Sequence, residues 1–328
     1  MISYCKSFVM IYLLFYCARI IHGEVLRSFS GMTIAEEIDH KRFMRLDSGV
    51  DRISSNDLFA NKQFNNVDKY RVHMIGDSTT RNQWLALCSL LGEGELPEPP
   101  SLQPSPPCIG EGWGHKQLIA TGTFDRESPI NSSRMAEILT TAHQAYNVSR
   151  FDVIYFGSTA LHLLRLYPAF DLHNRHWPMA MDFVHEVSEM IRIVRAFSSC
   201  PIFHTMHYVC DSLFYLNWKK ALQQTYKSNT SKLQNFCQER APPEALEVCK
   251  TFSMTTEGSI NVARLERHGL ELSNDSISVV DTFALTYKQC WASKDGVHYL
   301  KLLPIQLKLL SGHVETCQSS SQISRVDT

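Results

Sequence analysis

Residues 151–156 read FDVIYF, an almost unbroken apolar run. A half-exposed strand would alternate apolar with polar residues. A nearly continuous run is the pattern of a central parallel strand covered on both faces, so helices are expected on each side of it. The chain supplies them. In residues 182–197, Phe183, Val184, Val187, Met190, Ile191, Val194 and Phe197 fall on one helical face. Asp182, Glu186, Glu189, Arg192 and Arg195 fall on the other. Residues 70–75 (YRVHMI), 201–206 and 276–283 (SISVVDTF) read as further strands. Helices are expected over 79–91, where Trp84, Leu87, Cys88 and Leu91 share a face, over 262–268 and over 301–310. Strands that alternate with helices predict a three-layer α/β/α sandwich with a mostly parallel sheet. One stretch resists assignment: LPEPPSLQPSPPCIGEGWG carries six prolines between residues 97 and 107 and is expected to be irregular.

The chain has 328 residues, enough for a substantial core. Its 32 Lys and Arg nearly balance 33 Asp and Glu, so no charge excess points to nucleic acid as a partner. Residues 7–18 (SFVMIYLLFYCA), preceded by Lys6, fit the core of a signal peptide cleaved after Gly23. The run is short of the ~20 residues needed to cross hydrocarbon, and a membrane attachment follows only if it stays uncleaved as a signal anchor. The expected organisation is therefore a signal peptide or anchor over 1–23, an irregular lead-in over 24–68, a catalytic domain over 69–312 and a polar tail over 313–328. A secreted or Golgi-lumenal protein is expected. Sequons at Asn131, Asn147, Asn229 and Asn274 would then be open to N-glycosylation. Eight cysteines lie beyond the targeting segment, at 88, 108, 200, 210, 237, 249, 290 and 317. Their even number suits disulfides in an oxidising compartment. The local pairs Cys200–Cys210 and Cys237–Cys249 are attractive, although about a hundred connectivities are open.

In parallel α/β sheets ligands bind beyond the carboxyl ends of strands. Four strand ends matter here: Gly76-Asp77-Ser78, Gly157-Ser158-Thr159, His204-Thr205-Met206-His207 and the segment after Asp281. A serine between a strand end and a helix start has N–H donors close by, as a nucleophile that generates an oxyanion requires. The competing reading is that Asp77 or Ser78 does no more than cap the helix. Near the C-terminus, Asp295-Gly296-Val297-His298 supplies a base and an orienting carboxylate on a turn. A second D-x-x-H, Asp182 to His185, lies on the polar side of an amphipathic helix and is expected to be solvated.

Taken together, GDSTTRNQWLALCSLL and VVDTFALTYKQCWASKDGVHYL resemble the first and last signature blocks of the PC-esterase and trichome-birefringence-like branch of the SGNH/GDSL-type hydrolases. The resemblance implies a three-layer α/β/α fold and acyl-ester chemistry, often acetyl transfer to or from a carbohydrate hydroxyl. It implies Ser78 as nucleophile, His298 as base and Asp295 as third member, with Asp77, Arg81, Asn82 and Gln83 bracing the nucleophile turn and Arg81 near substrate; Gly76 and Gly157 are candidates for the oxyanion or substrate site. The family's oxyanion asparagine is absent, since the matching stretch is Phe156-Gly157-Ser158-Thr159. Ser158 or Thr159 is the substitute donor there, and Gly110, Gly112, Gly114 and Gly122 all lie in the window for the second-block glycine. The expected partners are a carbohydrate or glycoconjugate and, for a transferase, an acyl donor; the alternative is a catalytically silent glycan-binding protein or scaffold of this fold.

No metal or other cofactor is expected. His204/His207 and His173/His176 have H-x-x-H spacing, but no third ligand accompanies them. His207 is expected in the pocket, His162 at its rim or in the structure, and Trp113 and Trp177 are candidates for stacking on a sugar.

Overall fold

The computed structural model describes residues 69–92, 99–111, 117–125, 131–158, 180–210, 212–213, 255–273 and 277–326. All lie within one compact unit, Gly49–Thr328. The expectations for residues 1–68, Gly112, Trp113, Gly114, Thr159, His162, His173, His176, Trp177, Asn229, Cys237, Cys249 and Asn274 fall outside the described residues.

The elements run β1 (Lys69–Gly76), α1 (Ser78–Leu90), β2 (Cys108–Glu111), β3 (Gln117–Phe124), α2 (Ser132–Tyr146), β4 (Phe151–Gly157), α3 (Ala180–Phe197), β5 (Ser198–His204), α4 (Thr256–Leu272), β6 (Ser278–Val280), α5 (Thr282–Thr286) and α6 (Leu303–Val326). Among the described residues the strands form one sheet in the order β2-β3-β1-β4-β5-β6. β2 pairs antiparallel with β3, and every other pairing is parallel. The expected α/β sandwich is thus the observed fold.

The two sheet faces are covered by different helices. Trp84, Leu87 and Cys88 of α1 join Leu307, Leu310 and Val314 of α6 over Val72, Met74, Val153, Tyr155 and Ile202. On α3, Val184, Val187, Ile191 and Val194 are fully buried, and α3 packs between α2 and α4. Each large apolar side chain buried in this way stabilises the fold by about 1.5–3 kcal/mol.

Four local expectations are corrected. Among the described residues of the proline-rich stretch, Cys108–Glu111 is regular, as an edge strand that starts just after the last proline, where every residue again has an N–H to donate. The strand expected over 276–283 stops at Val280, because the Asp281 carboxylate accepts the Ala284 N–H at 2.9 Å and starts α5. The last helix runs to Val326 rather than Leu310. Cys200 pairs with Cys317 and Cys210 with Cys290, while Cys88 pairs with Cys108. The expected Cys200–Cys210 bridge is thereby ruled out, because each of the two sulfurs is bonded to another cysteine.

Candidate active site

From β1 the chain moves to β3 on one side, then returns to β4 on the other. Such a reversal marks the carboxyl ends of β1 and β4 as the place where sheets of this kind bind ligands. Ser78 follows β1 at this point. A Cβ on Gly76 would overlap the Thr80 side chain, so the turn closes only on glycine. Asp77 is the N-cap of α1 and accepts the Thr79 N–H at 2.8 Å and the Thr79 hydroxyl at 2.6 Å. Ser78 is therefore the first helical residue and is half-buried, as are Arg81 and Asn82. Capping and presentation of a hydroxyl coexist: Asp77 does the first, Ser78 the second.

The loop after α5 brings up His298. Asp295 Oδ1 accepts the backbone N–H groups of Val297 (3.1 Å) and His298 (2.8 Å). Gly296 bridges the turn at φ 91°, a conformation that disfavours residues with a side chain, and donates to Ser293 Oγ at 2.9 Å. Asp295 Oδ2 lies 2.5 Å from His298 Nδ1, and His298 Nε2 lies 2.7 Å from Ser78 Oγ. The carboxylate accepts only, so Nδ1 carries the proton and Nε2 is left to accept the Ser78 O–H. Partial burial alone would raise the Asp295 pKa; hydrogen bonds from the His298 ring and the turn's N–H groups outweigh it and hold the carboxyl down at about 2. The Cys210–Cys290 disulfide and a 2.8 Å bond from Cys210 N–H to Gly296 O tie this loop to the segment after β5. The other D-x-x-H, Asp182 to His185, is exposed on α3.

The stretch after β4 is arranged differently from a simple donor loop. A Cβ on Gly157 would run into the His204 ring. Ser158 is buried, and its hydroxyl donates to Glu266 of α4, whose other carboxylate oxygen accepts the Met206 N–H at 2.9 Å. Complete burial raises the Glu266 pKa to about 8, against the lowering effect of these two bonds. In this arrangement the Ser158 side chain is engaged with Glu266. Gly110 lies in β2, and Gly122 lies in β3 beneath the Phe124 ring.

The two histidines after β5 are buried, and both pKa values are lowered, chiefly by burial; that of His207 falls to about 4. His204 stacks on Tyr155, donates from Nδ1 to Thr205 O at 3.2 Å and accepts the Thr80 hydroxyl at Nε2 (2.8 Å). His207 contacts Val297 O through Nδ1 (3.1 Å) and the Gln306 amide through Nε2 (3.2 Å). Gln306 in turn accepts from Gln83 Nε2 at 2.7 Å. His207 thus sits behind the His298 loop. Each ring has both nitrogens engaged, and no group of three His, Cys, Asp or Glu suited to a metal ion occurs among the described residues.

Sequence reading missed Thr80, Glu266 and Gln306. The signal for the last two was available: each is a polar residue on an otherwise apolar helical stripe, with Val262 four residues before Glu266 and Leu302 and Leu310 flanking Gln306. The sequon residues Asn131 and Asn147 are exposed at the two ends of α2. No helix among the described residues is long and apolar enough to cross a membrane.

No protein-family model matches this chain, and no curated protein matches it. Among solved structures, one chain is 12% identical with a TM-score of 0.36, over 77% of this chain and 98% of that one. A catalytic mutant of an acetylxylan esterase from Geobacillus stearothermophilus is 10% identical with a TM-score of 0.37, over 75% of this chain and 94% of its own. The functional reading rests on the site itself.

Proposed function

We propose that this chain is a serine esterase or O-acyltransferase of the secretory pathway, working on a glycan through Ser78, His298 and Asp295. One observation carries the reading: Ser78 Oγ, His298 Nε2, His298 Nδ1 and Asp295 Oδ2 form a continuous relay of 2.7 and 2.5 Å beyond the carboxyl end of β1. A hydroxyl is a weak nucleophile until a base takes its proton. Here the base faces the hydroxyl in the acceptor tautomer and stands against a carboxylate that stabilises the imidazolium.

The reaction balances as follows. Ser78 Oγ attacks the ester carbonyl carbon while its proton passes to His298 Nε2. The tetrahedral oxyanion collapses, the bond to the leaving oxygen breaks, and His298 returns the proton to that oxygen. The acyl-Ser78 ester then meets water or a sugar hydroxyl. His298 removes that group's proton, the new bond forms, and Ser78 is regenerated by the same proton. The N–H of Ser78 is among those that α1 leaves without an intrahelical acceptor, which makes it the first oxyanion donor in this reading.

The glycan substrate, the acyl donor and membership of the PC-esterase branch rest on the two sequence blocks. The three disulfides support a lumenal or extracellular site, together with the N-terminal apolar run. The test is to express the full sequence in a secretory host and compare it with Ser78→Ala. A fluorophosphonate probe should label only the native protein, and only the native protein should cleave p-nitrophenyl acetate and deacetylate acetylated glycans. Equal labelling and cleavage by Ser78→Ala would overturn the nucleophile. A native protein that binds glycans but is never labelled would instead be a silent member of the fold.

A further inference from the structure

His207, Gln306 and Gln83 are buried, come from three separate parts of the chain, and touch in series. The donor and acceptor roles along the series can be worked out from one end. Gln83 Nε2 donates to Gln306 Oε1, which fixes the Gln306 amide so that its NH2 faces His207 Nε2. His207 Nε2 must then accept, leaving the ring proton on Nδ1, where it donates to the carbonyl of Val297 at 3.1 Å. Val297 precedes His298. Gln83 lies on α1, the helix that Ser78 begins. The bonds therefore close a circuit: Ser78, α1, Gln83, Gln306, His207, Val297, His298 and back to Ser78.

We infer that His207 is a positioning residue: held in one tautomer by Gln306, it anchors the Val297 carbonyl and so fixes the distance between His298 Nε2 and Ser78 Oγ. The inference rests on the reading of Ser78 and His298 as reacting groups, and it removes His207 from the substrate-binding role expected of it. Three observations support a built device over a chance polar contact. His207, Gln306 and Gln83 are all buried, where an unmatched polar group costs about 1–3 kcal/mol, and both ring nitrogens of His207 are matched. The His207 ring is further held edge-on by Tyr299, with centroids 5.6 Å apart. Tyr299 itself donates to Tyr208 O at 2.8 Å, so both neighbours of His298 in sequence are tied to the segment that carries His207. Only His298 is left half-exposed between them.

Displacement of a reacting group by about 1 Å costs on the order of 100-fold in rate. The His207→Phe variant keeps a flat ring but loses the Nδ1–H. Its fluorophosphonate labelling rate and its kcat on p-nitrophenyl acetate should fall by about 100-fold, with KM within about twofold, because substrate contacts are untouched. His207→Asn places an amide N–H near the position of Nδ1 and should recover about tenfold of that loss. Gln306→Met, which breaks the other joint without touching the loop, should cost about tenfold.

The low-field proton NMR signal of His298 Nδ1–H, hydrogen-bonded to Asp295, gives a readout that needs no catalysis. It should be present in the native full-length protein and displaced or lost in His207→Phe and Gln306→Met, both checked as folded by circular dichroism. Labelling rates and resonances that match the native protein in both folded variants would overturn the positioning role. A native protein that is never labelled, yet whose resonance moves in both variants, would overturn the esterase reading and leave the positioning role standing.

Discussion

Asp295 grips His298 with both carboxylate oxygens, Oδ2 at the ring Nδ1 (2.5 Å) and Oδ1 at the backbone N–H (2.8 Å). Four consecutive residues thus orient their own base, with only Gly296 asked to take an unusual backbone angle. In Asp295→Asn the amide oxygen will stay with the backbone N–H groups, which turns the NH2 toward Nδ1. The ring then changes tautomer and presents Nε2–H to Ser78. Labelling of Ser78 should fall by about 10³–10⁴-fold, and the melting temperature should fall by several degrees at neutral pH. The carboxyl is held at about 2 against an ordinary 3.8, so its stabilising contribution is present above pH ~4 and is lost as pH falls toward 2. Thermal melts of the two proteins should therefore converge as pH falls through that range. Full labelling of the variant would show that the carboxylate is not needed to set the ring.

Glu266 gives a pH dependence of opposite sign. Its pKa is raised from 4.5 to about 8, so between those values the folded state keeps a proton that the unfolded chain has released. Stability must fall as pH rises through this window, by up to about 1.4 kcal/mol per pH unit for the single group. Glu266→Gln removes the titration. Its amide can still accept the Met206 N–H and donate to the Ser158 hydroxyl. The variant should be relatively more stable at pH 8 than at pH 5, read as the difference in melting temperature from the native protein. A difference that does not change with pH would mean that Glu266 is ionised throughout.

The parts of the fold that read correctly from sequence are those with a continuous or periodic apolar pattern. FDVIYF had to be a strand covered on both faces, and the apolar stripe through Val184, Val187, Ile191 and Val194 had to face a core. The strand Gln117–Phe124 passed unnoticed because its threonines, Ala120 and Gly122 give only a faint alternation; its core face is supplied by Leu118, Ala120 and Phe124. At the candidate site, the meeting of Ser78, Asp295 and His298 was legible because a turn fixes each to its neighbours. His207 was expected in the pocket, and it is buried behind the His298 loop with both ring nitrogens engaged, since which way a ring at a strand end faces depends on what packs behind it. Gln306 supplies that answer from a helix about a hundred residues later.

Gly157 marks how tightly the second strand end is packed. The Cβ of an alanine there would overlap the His204 imidazole, which has no free direction: it is stacked on Tyr155 at 4.7 Å and bonded to Thr80 at 2.8 Å. Gly157→Ala should cost about 1–3 kcal/mol, seen as a drop of several degrees in melting temperature. Thr80 lies two residues after Ser78 on α1, so the labelling rate should fall as well. The double variant Gly157→Ala, His204→Ala makes room for the new methyl and should regain part of the stability lost in the single one. A single variant as stable as the native protein would show that the His204 ring is free to move aside.

Cys200–Cys317 joins β5 to α6 across 117 residues of sequence. Cys210–Cys290 lies inside that span and already shortens the effective loop, so removing the outer bridge should cost about 4 kcal/mol in the chain-entropy account. For a domain of this size that is a fall of roughly 10 °C in melting temperature. Below the new transition, Cys200→Ser with Cys317→Ser should label at the native rate. Leu307, Leu310 and Val314 still pack α6 onto the sheet, and they keep Gln306 opposite His207. Differential scanning calorimetry and labelling on one preparation separate the two effects. Native thermal stability would contradict the entropic account. Slowed labelling at full folding would show instead that the bridge sets the register of α6, and through Gln306 the placement of His298.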